Sequence, residues 1–429
     1  MRTVVTPARK LIGEIDIPGD KSISHRAVML GSLAKGTTRI KHFLTGEDCL
    51  NTIRAFESMG VDILTEVNSD NETEVIIRGK GLRGLKEPSS VINVGNSGTT
   101  ARLLSGILAG QTFGSVLDGD ASLRRRPMGR VVEPLSMMGA KIEADNGKLP
   151  MNIHASVLKS IEYRMPVASA QVKSAIMLAA LYAQSPALIH QSSMSRDHTE
   201  IMMNYFGGRV EASDLVIRAY PADELYGRDL YVPGDISSAA FFITAALLVP
   251  GSRITMTRVG INPTRTGILD IYRQMGADII IENIDNANGE PMGDITATYS
   301  PLNGVEIGGA VIPRLIDEIP IIALAATQAH GTTVIRDAAE LKVKESNRID
   351  TVVRTLRTLG ADIEATEDGM IIHGPTPLTG NVIACGMDHR IAMMAAIAGL
   401  IARDRTIIDD SQWVDISFPG FFSIIEKLR

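Results

Sequence analysis

A cluster of polar and basic residues stands directly before the first long apolar stretch of the chain. The segment Pro18–Asp20 has the composition of a turn, and Lys21, Ser22 and Arg26 follow it within about two helical turns. The apolar residues that continue to Leu33 predict a buried helix that begins near Asp20. Because the N-terminus of a helix carries unpaired N–H groups and a partial positive charge, this helix start is suited to binding an anion.

Similar helix starts return five more times, near residues 95, 167, 233, 313 and 386. Residues that could bind anions or transfer protons lie at or close to these starts. They are Lys21, Ser22, Arg26, Gly98, Arg126, Ser169, Gln171, Arg196, Asp317, Lys344, Glu345, Arg348, His389 and Arg390. The lysines and arginines in this set exceed what one phosphate needs, since a phosphate group carries about −1.5 to −2 charges near neutral pH. Two small, multiply anionic substrates are the simplest interpretation.

Each of these signals also has an ordinary structural explanation. The arginines at 124–126 could belong to a solvated loop, and Ser169 could simply cap a helix. Helical spacing would place Lys344 and Arg348 on one face with Glu345 beside them, as in an exposed cluster of ion pairs.

Three charged residues stand in apolar surroundings. Asp317 and Glu318 lie inside an apolar sequence, so we expect one of these carboxylates to face a polar site. Arg390 stands directly before a long apolar run and therefore needs an anionic partner, from the protein or from a ligand.

The composition of the chain narrows the class of protein. With 429 residues, the chain is too long for one compact core, and two domains are expected. A net charge of −6 and an aromatic content of 4% argue against nucleic acid or a membrane surface as the main partner. The two cysteines, Cys49 and Cys385, cannot build a disulfide framework, and no Cys–His spacing resembles a metal site.

Neither a leader nor a membrane anchor is predicted. The first 16 residues lack the apolar core of a signal peptide. The longest apolar run, Ile391 to Ala402, has 12 residues, whereas a membrane-spanning helix needs about 20. We therefore expect a cytoplasmic protein that is not attached to a membrane.

The elements that must position the candidate residues form a repeat. A Met-, Leu- or Phe-Gly pair followed by a short strand occurs at intervals of about 70 to 85 residues, with its glycines at positions 60, 139, 207, 276 and 360. Each glycine is expected to end an amphipathic helix. Combined with the helix starts, this pattern predicts an α/β protein of six βαβαββ units, three in each domain.

Two Pro-Gly-Asp turns, at 18–20 and 233–235, predict where the chain crosses between the domains. Domain I would then comprise residues 1–19 and 230–429, and domain II residues 20–229. Clefts between domains are common ligand sites, so we expect the helix starts to face such a cleft.

At these residues the sequence resembles the 5-enolpyruvylshikimate-3-phosphate synthase family of enolpyruvyl transferases. The matching stretches are residues 19–26, 95–102, 126–128, 344–348 and 388–390, in the family's order over nearly the whole chain. The resemblance implies a two-domain inverse α/β barrel that closes on its substrates. It also implies transfer of an enolpyruvyl group from phosphoenolpyruvate to the 5-hydroxyl of shikimate 3-phosphate, with release of phosphate, in aromatic amino acid biosynthesis. No cofactor, no metal and a monomeric state are expected.

The resemblance further implies roles for individual residues. Shikimate 3-phosphate would be bound by Lys21, Ser22, Arg26, Ser169, Gln171, Arg196, Asp317 and Lys344. Phosphoenolpyruvate would be bound by Lys21, Gly98, Arg126, Gln171, Arg348, His389 and Arg390. The catalytic residues would be Lys21, which touches both substrates, Asp317 as the base on the 5-hydroxyl, and Glu345 as the acid and base at the methylene carbon.

Two other functions compete with this interpretation. Enolpyruvyl transferases that act on UDP-N-acetylglucosamine share the fold and the donor, but they carry a reactive cysteine just before the matching Arg-Pro pair. Residues 118–126 contain no cysteine. A non-catalytic module that binds anions or RNA would not need Asp317 and Glu345, and it would be more basic overall.

Overall fold

The computed structural model describes residues 1–67 and 72–429. Over these residues the strands are β1 (Arg2–Val5), β2 (Ile12–Asp16), β3 (Lys35–Lys41), β4 (Asp62–Val67), β5 (Thr73–Lys80), β6 (Ile92–Asn93), β7 (Ser115–Asp118), β8 (Lys141–Ala144), β9 (Met151–His154), β10 (Glu162–Arg164), β11 (Ala187–His190), β12 (Val210–Ser213), β13 (Val216–Ala219), β14 (Asp229–Tyr231), β15 (Arg253–Gly260), β16 (Asp278–Asp285), β17 (Met292–Thr298), β18 (Glu306–Ile307), β19 (Gly331–Ile335), β20 (Asp362–Ala365), β21 (Met370–Gly374), β22 (Val382–Ala384) and β23 (Thr406–Asp409).

The α-helices lie between these strands. They are α1 (Lys21–Leu33), α2 (Glu47–Ser58), α3 (Gly98–Ala109), α4 (Gly129–Met137), α5 (Ala170–Ala180), α6 (His198–Tyr205), α7 (Ile236–Leu248), α8 (Gly267–Gln274), α9 (Ile312–Leu315), α10 (Ile319–Gln328), α11 (Arg348–Thr358), α12 (His389–Ile401) and α13 (Phe421–Leu428). Short 3-10 helices occupy several connections, including Leu123–Arg125 and Ala339–Val343.

The strands of the described residues form six small sheets, five of four strands with one repeated topology and a sixth of three strands. The strand orders are β14-β3-β5-β4, β6-β7-β9-β8, β10-β11-β13-β12, β2-β15-β17-β16, β18-β19-β21-β20 and β22-β23-β1. In each four-stranded sheet the first two strands in this order are parallel, and the other two pairings are antiparallel. The predicted six-fold α/β repeat is therefore confirmed.

The chain divides into two compact units. Unit 1 consists of residues 1–18, 233–286 and 291–429, and unit 2 consists of residues 19–232 and 287–290. The N-terminal residues complete two sheets of unit 1, since β1 pairs with β23 and β2 pairs with β15. Strand β14 pairs with β3, so residues 229–231 form part of a sheet of unit 2, whereas the sequence-based border assigned residues 230 and 231 to the other domain.

A short segment inside the second half of the sequence also belongs to unit 2. Residues 287–290 connect β16 to β17, two neighbouring strands of a unit 1 sheet. Within unit 2, Asn288 Nδ2 donates to the Tyr231 carbonyl at 3.0 Å, and Glu290 Oε1 lies 2.7 Å from His198 Nδ1. Both side chains of this second pair are buried.

Each unit has its own core, built around three helices that are apolar on nearly all sides. In unit 1 these are α7, α10 and α12, which pack against one another, and in unit 2 they are α1, α3 and α5. A helix that is apolar all round is stable only when it is surrounded by protein. These six helices begin at the six helix starts predicted from the sequence, and the first turns of α1, α3, α5 and α12 hold Lys21, Ser22, Gly98, Gln171, His389 and Arg390.

Two features are absent from the described residues. No helix among them is both long and apolar enough to span a bilayer. They also contain no group of three or more His, Cys, Asp or Glu side chains placed to hold a metal ion.

Candidate functional site

In unit 2, helix α1 begins as the sequence predicts. Asp20 Oδ1 accepts a hydrogen bond from the Ile23 amide at 2.9 Å, which caps the helix. Lys21, the first residue of the helix, donates from Nζ to Asp48 Oδ2 of α2 at 2.8 Å. The ammonium group is therefore held in place by a carboxylate that the sequence analysis had not singled out.

A chain of buried side chains joins α1, the middle of α2 and the first turn of α3. His25 Nδ1 lies 2.7 Å from Thr52 Oγ1, which lies 2.7 Å from Thr100 Oγ1. Burial lowers the pKa of His25 to about 3, so its ring is neutral at physiological pH. These contacts fix the start of α1, with Lys21, relative to the start of α3, with Gly98.

Arg26 makes three hydrogen bonds inside unit 2. Its Nε donates to Thr199 Oγ1 of α6 at 2.6 Å, and its Nη2 donates to Ser174 Oγ of α5 at 2.9 Å. A third bond joins Nη1 to the Ser22 carbonyl at 3.0 Å. Burial lowers the pKa of Arg26 to about 10, which leaves it charged at neutral pH. Arg26 thus holds α1 to α5 and α6, a structural role that the sequence analysis did not predict.

The residues at the starts of α3 and α5 are linked by Arg102. Its Nη1 donates to Gln171 Oε1 at 2.8 Å, and its Nη2 donates to the Pro127 carbonyl at 3.1 Å. Gln171 Nε2 in turn donates to Thr99 Oγ1 at 3.1 Å. These bonds set the orientation of the Gln171 amide before any ligand is present.

Gly98 lies against two arginines. A Cβ atom at Gly98 would lie 2.9 Å from Arg102 Nη1 and 3.1 Å from Arg126 Nη1. The structure therefore brings Gly98, Arg126 and Gln171 together around Arg102. Within the arginine run, Arg124 is exposed and paired with Asp118, as expected for a solvated loop, whereas Arg126 is half-buried.

Ser169 and Arg196 complete the candidate residues of unit 2. Ser169 caps α5, since its Oγ accepts from the Val172 amide at 3.4 Å. Ser169 therefore does cap a helix, which the sequence analysis gave as one of its two possible roles. Arg196 lies in the loop before α6, and its charge helps to lower the pKa of Arg26, so the two guanidinium groups are near each other.

In unit 1, Arg348 is the centre of a cluster of three carboxylates. Its side chain is only 1% exposed. Nε donates to Asp388 Oδ2 at 3.0 Å, Nη1 to Asp317 Oδ1 at 3.3 Å, and Nη2 to Glu345 Oε2 at 2.6 Å. Burial alone would lower the pKa of Arg348, but the three carboxylates outweigh it and raise the pKa above its ordinary value.

Lys344 joins this cluster through Asp317, because its Nζ donates to Asp317 Oδ1 at 3.2 Å. The expected helix over residues 344–348 is wrong. Helix α11 begins at Arg348 and is capped by Asn347, while Lys344 has an extended backbone. Lys344 and Arg348 therefore come together at one carboxylate oxygen rather than along one helical face.

The start of α12 supplies Asp388, His389 and Arg390. Asp388 caps the helix by accepting from the Arg390 amide at 3.0 Å. Burial would raise the pKa of Asp388, but the charges of Arg348 and His389 lower it below its ordinary value. Arg390 Nη1 donates to the Asp317 carbonyl at 2.9 Å. This carbonyl is neutral, and the anionic partner that Arg390 required is the Glu318 carboxylate, whose Oε1 lies 3.8 Å from the same nitrogen.

Glu318 is the more buried of the two carboxylates in the apolar sequence, at 1% exposure. It accepts a hydrogen bond from the Ser237 hydroxyl, and its Oε1 lies 3.8 Å from Arg390 Nη1. Asp317 is the more exposed one and faces Lys344 and Arg348. Asp317 is therefore the better placed of the two to meet a substrate.

Comparisons with known proteins show the family to which the chain belongs. The family model described as EPSP synthase (3-phosphoshikimate 1-carboxyvinyltransferase) matches residues 5–425. A 3-phosphoshikimate 1-carboxyvinyltransferase of Geobacillus kaustophilus is 55% identical over 427 residues, and the alignment covers 99% of each chain. One of Thermoanaerobacter pseudethanolicus is 54% identical over 425 residues, again 99% of each chain.

A solved structure is similar in fold. The EPSP synthase of Acinetobacter baumannii superimposes with a TM-score of 0.88 at 43% sequence identity, over 100% of this chain and 98% of that one. The family match and the full-length relatives together show that this chain belongs to the EPSP synthase family of 3-phosphoshikimate 1-carboxyvinyltransferases.

Proposed function

We propose that the candidate residues of the two units transfer the enolpyruvyl group of phosphoenolpyruvate to the 5-hydroxyl of shikimate 3-phosphate and release inorganic phosphate. One observation carries the proposal: the Asp317 carboxylate lies between the cations Lys344 and Arg348, with Glu345 on the same guanidinium. An anion-binding module would not need carboxylates among its cations. An enzyme that transfers protons and has anionic substrates needs both carboxylates and cations.

The proposed residues for shikimate 3-phosphate offer both charge and hydrogen bonds. They are Lys21, Ser22, Arg26, Ser169, Gln171 and Arg196 of unit 2, with Asp317 and Lys344 of unit 1. Arginine and lysine would bind the phosphate, and hydroxyl, amide and carboxylate groups would bind the ring hydroxyls. The pairing of Arg26 with Thr199 and Ser174 supports a role in which this arginine mainly keeps Ser22 and α5 in place.

The proposed residues for phosphoenolpyruvate are Lys21, Gly98, Arg126, Gln171, Arg348, His389 and Arg390. The absence of a side chain at Gly98 lets Arg126 and Arg102 approach the start of α3, where backbone N–H groups point outward. Arg348 is held by three carboxylates before any substrate binds, so its guanidinium needs little reorganisation.

The chemistry follows from these groups. The oxygen of the 5-hydroxyl attacks the enol carbon of phosphoenolpyruvate while Asp317 accepts the hydroxyl proton. Glu345 gives a proton to the methylene carbon. The product of this addition is a tetrahedral phosphate ketal. Glu345 then takes a proton back from the new methyl group as the C–O bond to phosphate breaks. Lysine and arginine stabilise the leaving phosphate, which departs as the dianion or monoanion.

The activity is tested by measuring phosphate release from phosphoenolpyruvate with either of two acceptors. Release with shikimate 3-phosphate and none with UDP-N-acetylglucosamine is expected. Release only with UDP-N-acetylglucosamine would support the other enolpyruvyl transferase, and binding without release would support an anion-binding module. The same assay after dialysis against EDTA tests the expectation that no metal ion is needed.

The remaining expectations concern the state of the protein in the cell. We propose a monomer in the cytoplasm. Light scattering of the purified protein across a hundredfold concentration range tests the first point, and fractionation of the source cells tests the second.

A further inference from the structure

Lys173 and Glu200 form a buried ion pair close to residues that we propose bind shikimate 3-phosphate. Lys173 on α5 is fully buried, and its Nζ lies 2.6 Å from Glu200 Oε1 on α6. The same Nζ donates to the Ser195 carbonyl at 3.3 Å. Neither residue belongs to the set assigned to substrate above.

The position of Lys173 in the chain makes this contact informative. Lys173 lies in the first turn of α5, one turn after Ser169 and two residues after Gln171. Its acceptor, the Ser195 carbonyl, belongs to the peptide unit that leads into Arg196. Lys173 is therefore bonded directly to the loop that carries Arg196, while its own helix carries Ser169 and Gln171.

A neighbouring contact distinguishes the bond from Lys173 to the Ser195 carbonyl from the general packing of α5 against α6. Ser174 Oγ lies 2.6 Å from Thr199 Oγ1, so α5 and α6 are also joined without Lys173. Among the hydrogen bonds described here, only the one from Lys173 reaches back from α5 to the Ser195 carbonyl.

Burying this ion pair has a cost in folding free energy. The second carboxylate oxygen of Glu200 is buried and has no hydrogen-bond partner among the described residues. Burial raises the pKa of Glu200 despite the nearby lysine. Replacing such a pair by apolar side chains often leaves stability unchanged or improves it, so stability alone does not explain why this pair is present.

We propose that Lys173 is a positioning residue for shikimate 3-phosphate: it fixes the Ser195–Arg196 loop relative to Ser169 and Gln171. This proposal rests on the function proposed above. Lys173 acts through the loop and does not touch the substrate. Its loss therefore weakens the binding of shikimate 3-phosphate, while phosphoenolpyruvate and the chemical step are affected less.

The first test compares Lys173→Met with Met177→Ala, which removes a buried side chain one turn further along the same helix. We expect Lys173→Met to raise the KM for shikimate 3-phosphate, and its Kd by calorimetry, at least about tenfold. The KM for phosphoenolpyruvate should change less than about threefold. Met177→Ala should lower the unfolding temperature and leave both KM values near those of the unmodified enzyme.

A double variant separates positioning from simple stability. In Lys173→Met/Glu200→Leu both charges are gone, so the unfolding temperature should recover, whereas the Ser195 carbonyl still lacks its donor and the Kd should stay high. Recovery of the Kd together with the unfolding temperature would overturn the proposal, as would equal increases in both KM values. If the unmodified enzyme itself did not bind shikimate 3-phosphate, the proposed function would fail instead.

Discussion

The guanidinium of Arg348 lies 3.3 Å from Oδ1 of Asp317, and this same oxygen accepts from Lys344 Nζ at 3.2 Å. Two cations on one oxygen fix the orientation of the carboxylate. Arg348 has further partners in Asp388 and Glu345, so it does not depend on Asp317 alone. Because Arg348 stays paired without Asp317, the Asp317 carboxylate is not needed to hold the fold together. It is therefore available for chemistry.

Replacing Asp317 with alanine should lower kcat at least about a hundredfold, since general base catalysis contributes about 10² to 10⁴ in rate. The protein should remain folded, because Arg348 keeps two carboxylate partners. Steady-state phosphate release and thermal unfolding measure the two effects. Asp362→Ala, on an exposed strand position of the same unit, is the control. A variant at Asp317 with near-normal turnover would contradict the assigned role.

Removing the ammonium group in Lys21→Ala should abolish turnover, because both substrates would lose a cation. Asp48→Asn keeps Lys21 but removes the charged partner that lies 2.8 Å from it. Its effect should be smaller, about tenfold in kcat/KM, since the lysine remains but is less firmly held. Circular dichroism of both variants checks the fold. Equal losses in the two variants would show that Lys21 acts only through its pairing with Asp48.

A methyl group at Gly98 should weaken the binding of phosphoenolpyruvate. In Gly98→Ala the new Cβ would meet Arg102 Nη1 at 2.9 Å and Arg126 Nη1 at 3.1 Å, so both guanidinium groups must move. We expect the KM for phosphoenolpyruvate to rise about tenfold, equivalent to about 1.4 kcal/mol. Gly129→Ala, where a Cβ would meet nothing within 4 Å, is the matched control. An unchanged KM in Gly98→Ala would remove Arg126 from the proposed binding set.

The buried ring of His25 should make the free energy of unfolding depend on pH. Its pKa falls from 6.5 in the unfolded chain to about 3 in the folded protein. Between these values the unfolded state binds one more proton than the folded state, so stability decreases as the pH falls. The contribution is about 1.4 kcal/mol per pH unit in this window.

Denaturant unfolding of the unmodified protein and of His25→Gln, at pH 7 and pH 5, tests this contribution. The variant should be less stable at pH 7, because the contact with Thr52 changes, but its stability should decrease less between the two pH values. Identical pH dependence in the two proteins would show that His25 does not titrate on unfolding.

Much of the fold is predictable from the sequence because its signals are local. Asp20 caps α1 through its own side chain, and glycines such as Gly60 adopt the left-handed backbone that ends a helix. The start of α11 was also predictable in principle. Asn347, a preferred residue type at this position, caps the helix because its Oδ1 accepts from the Asp350 amide three residues later.

The side-chain partners of the candidate residues were not predictable. Asp48 meets Lys21, and Arg102 meets Gln171, only because separate helices pack together in three dimensions. Sequence spacing carries no information about such contacts. The same holds for the pairing of Lys173 with Glu200.

The segment 287–290 has a practical consequence for anyone who wishes to express unit 2 as a separate fragment. A gene encoding residues 19–232 would omit Glu290, the residue whose carboxylate lies 2.7 Å from the buried His198. In the truncated product His198 would be buried without the carboxylate of Glu290. His198 begins α6, directly after the loop that carries Arg196. A working fragment would need the missing hairpin tip grafted on or added as a peptide.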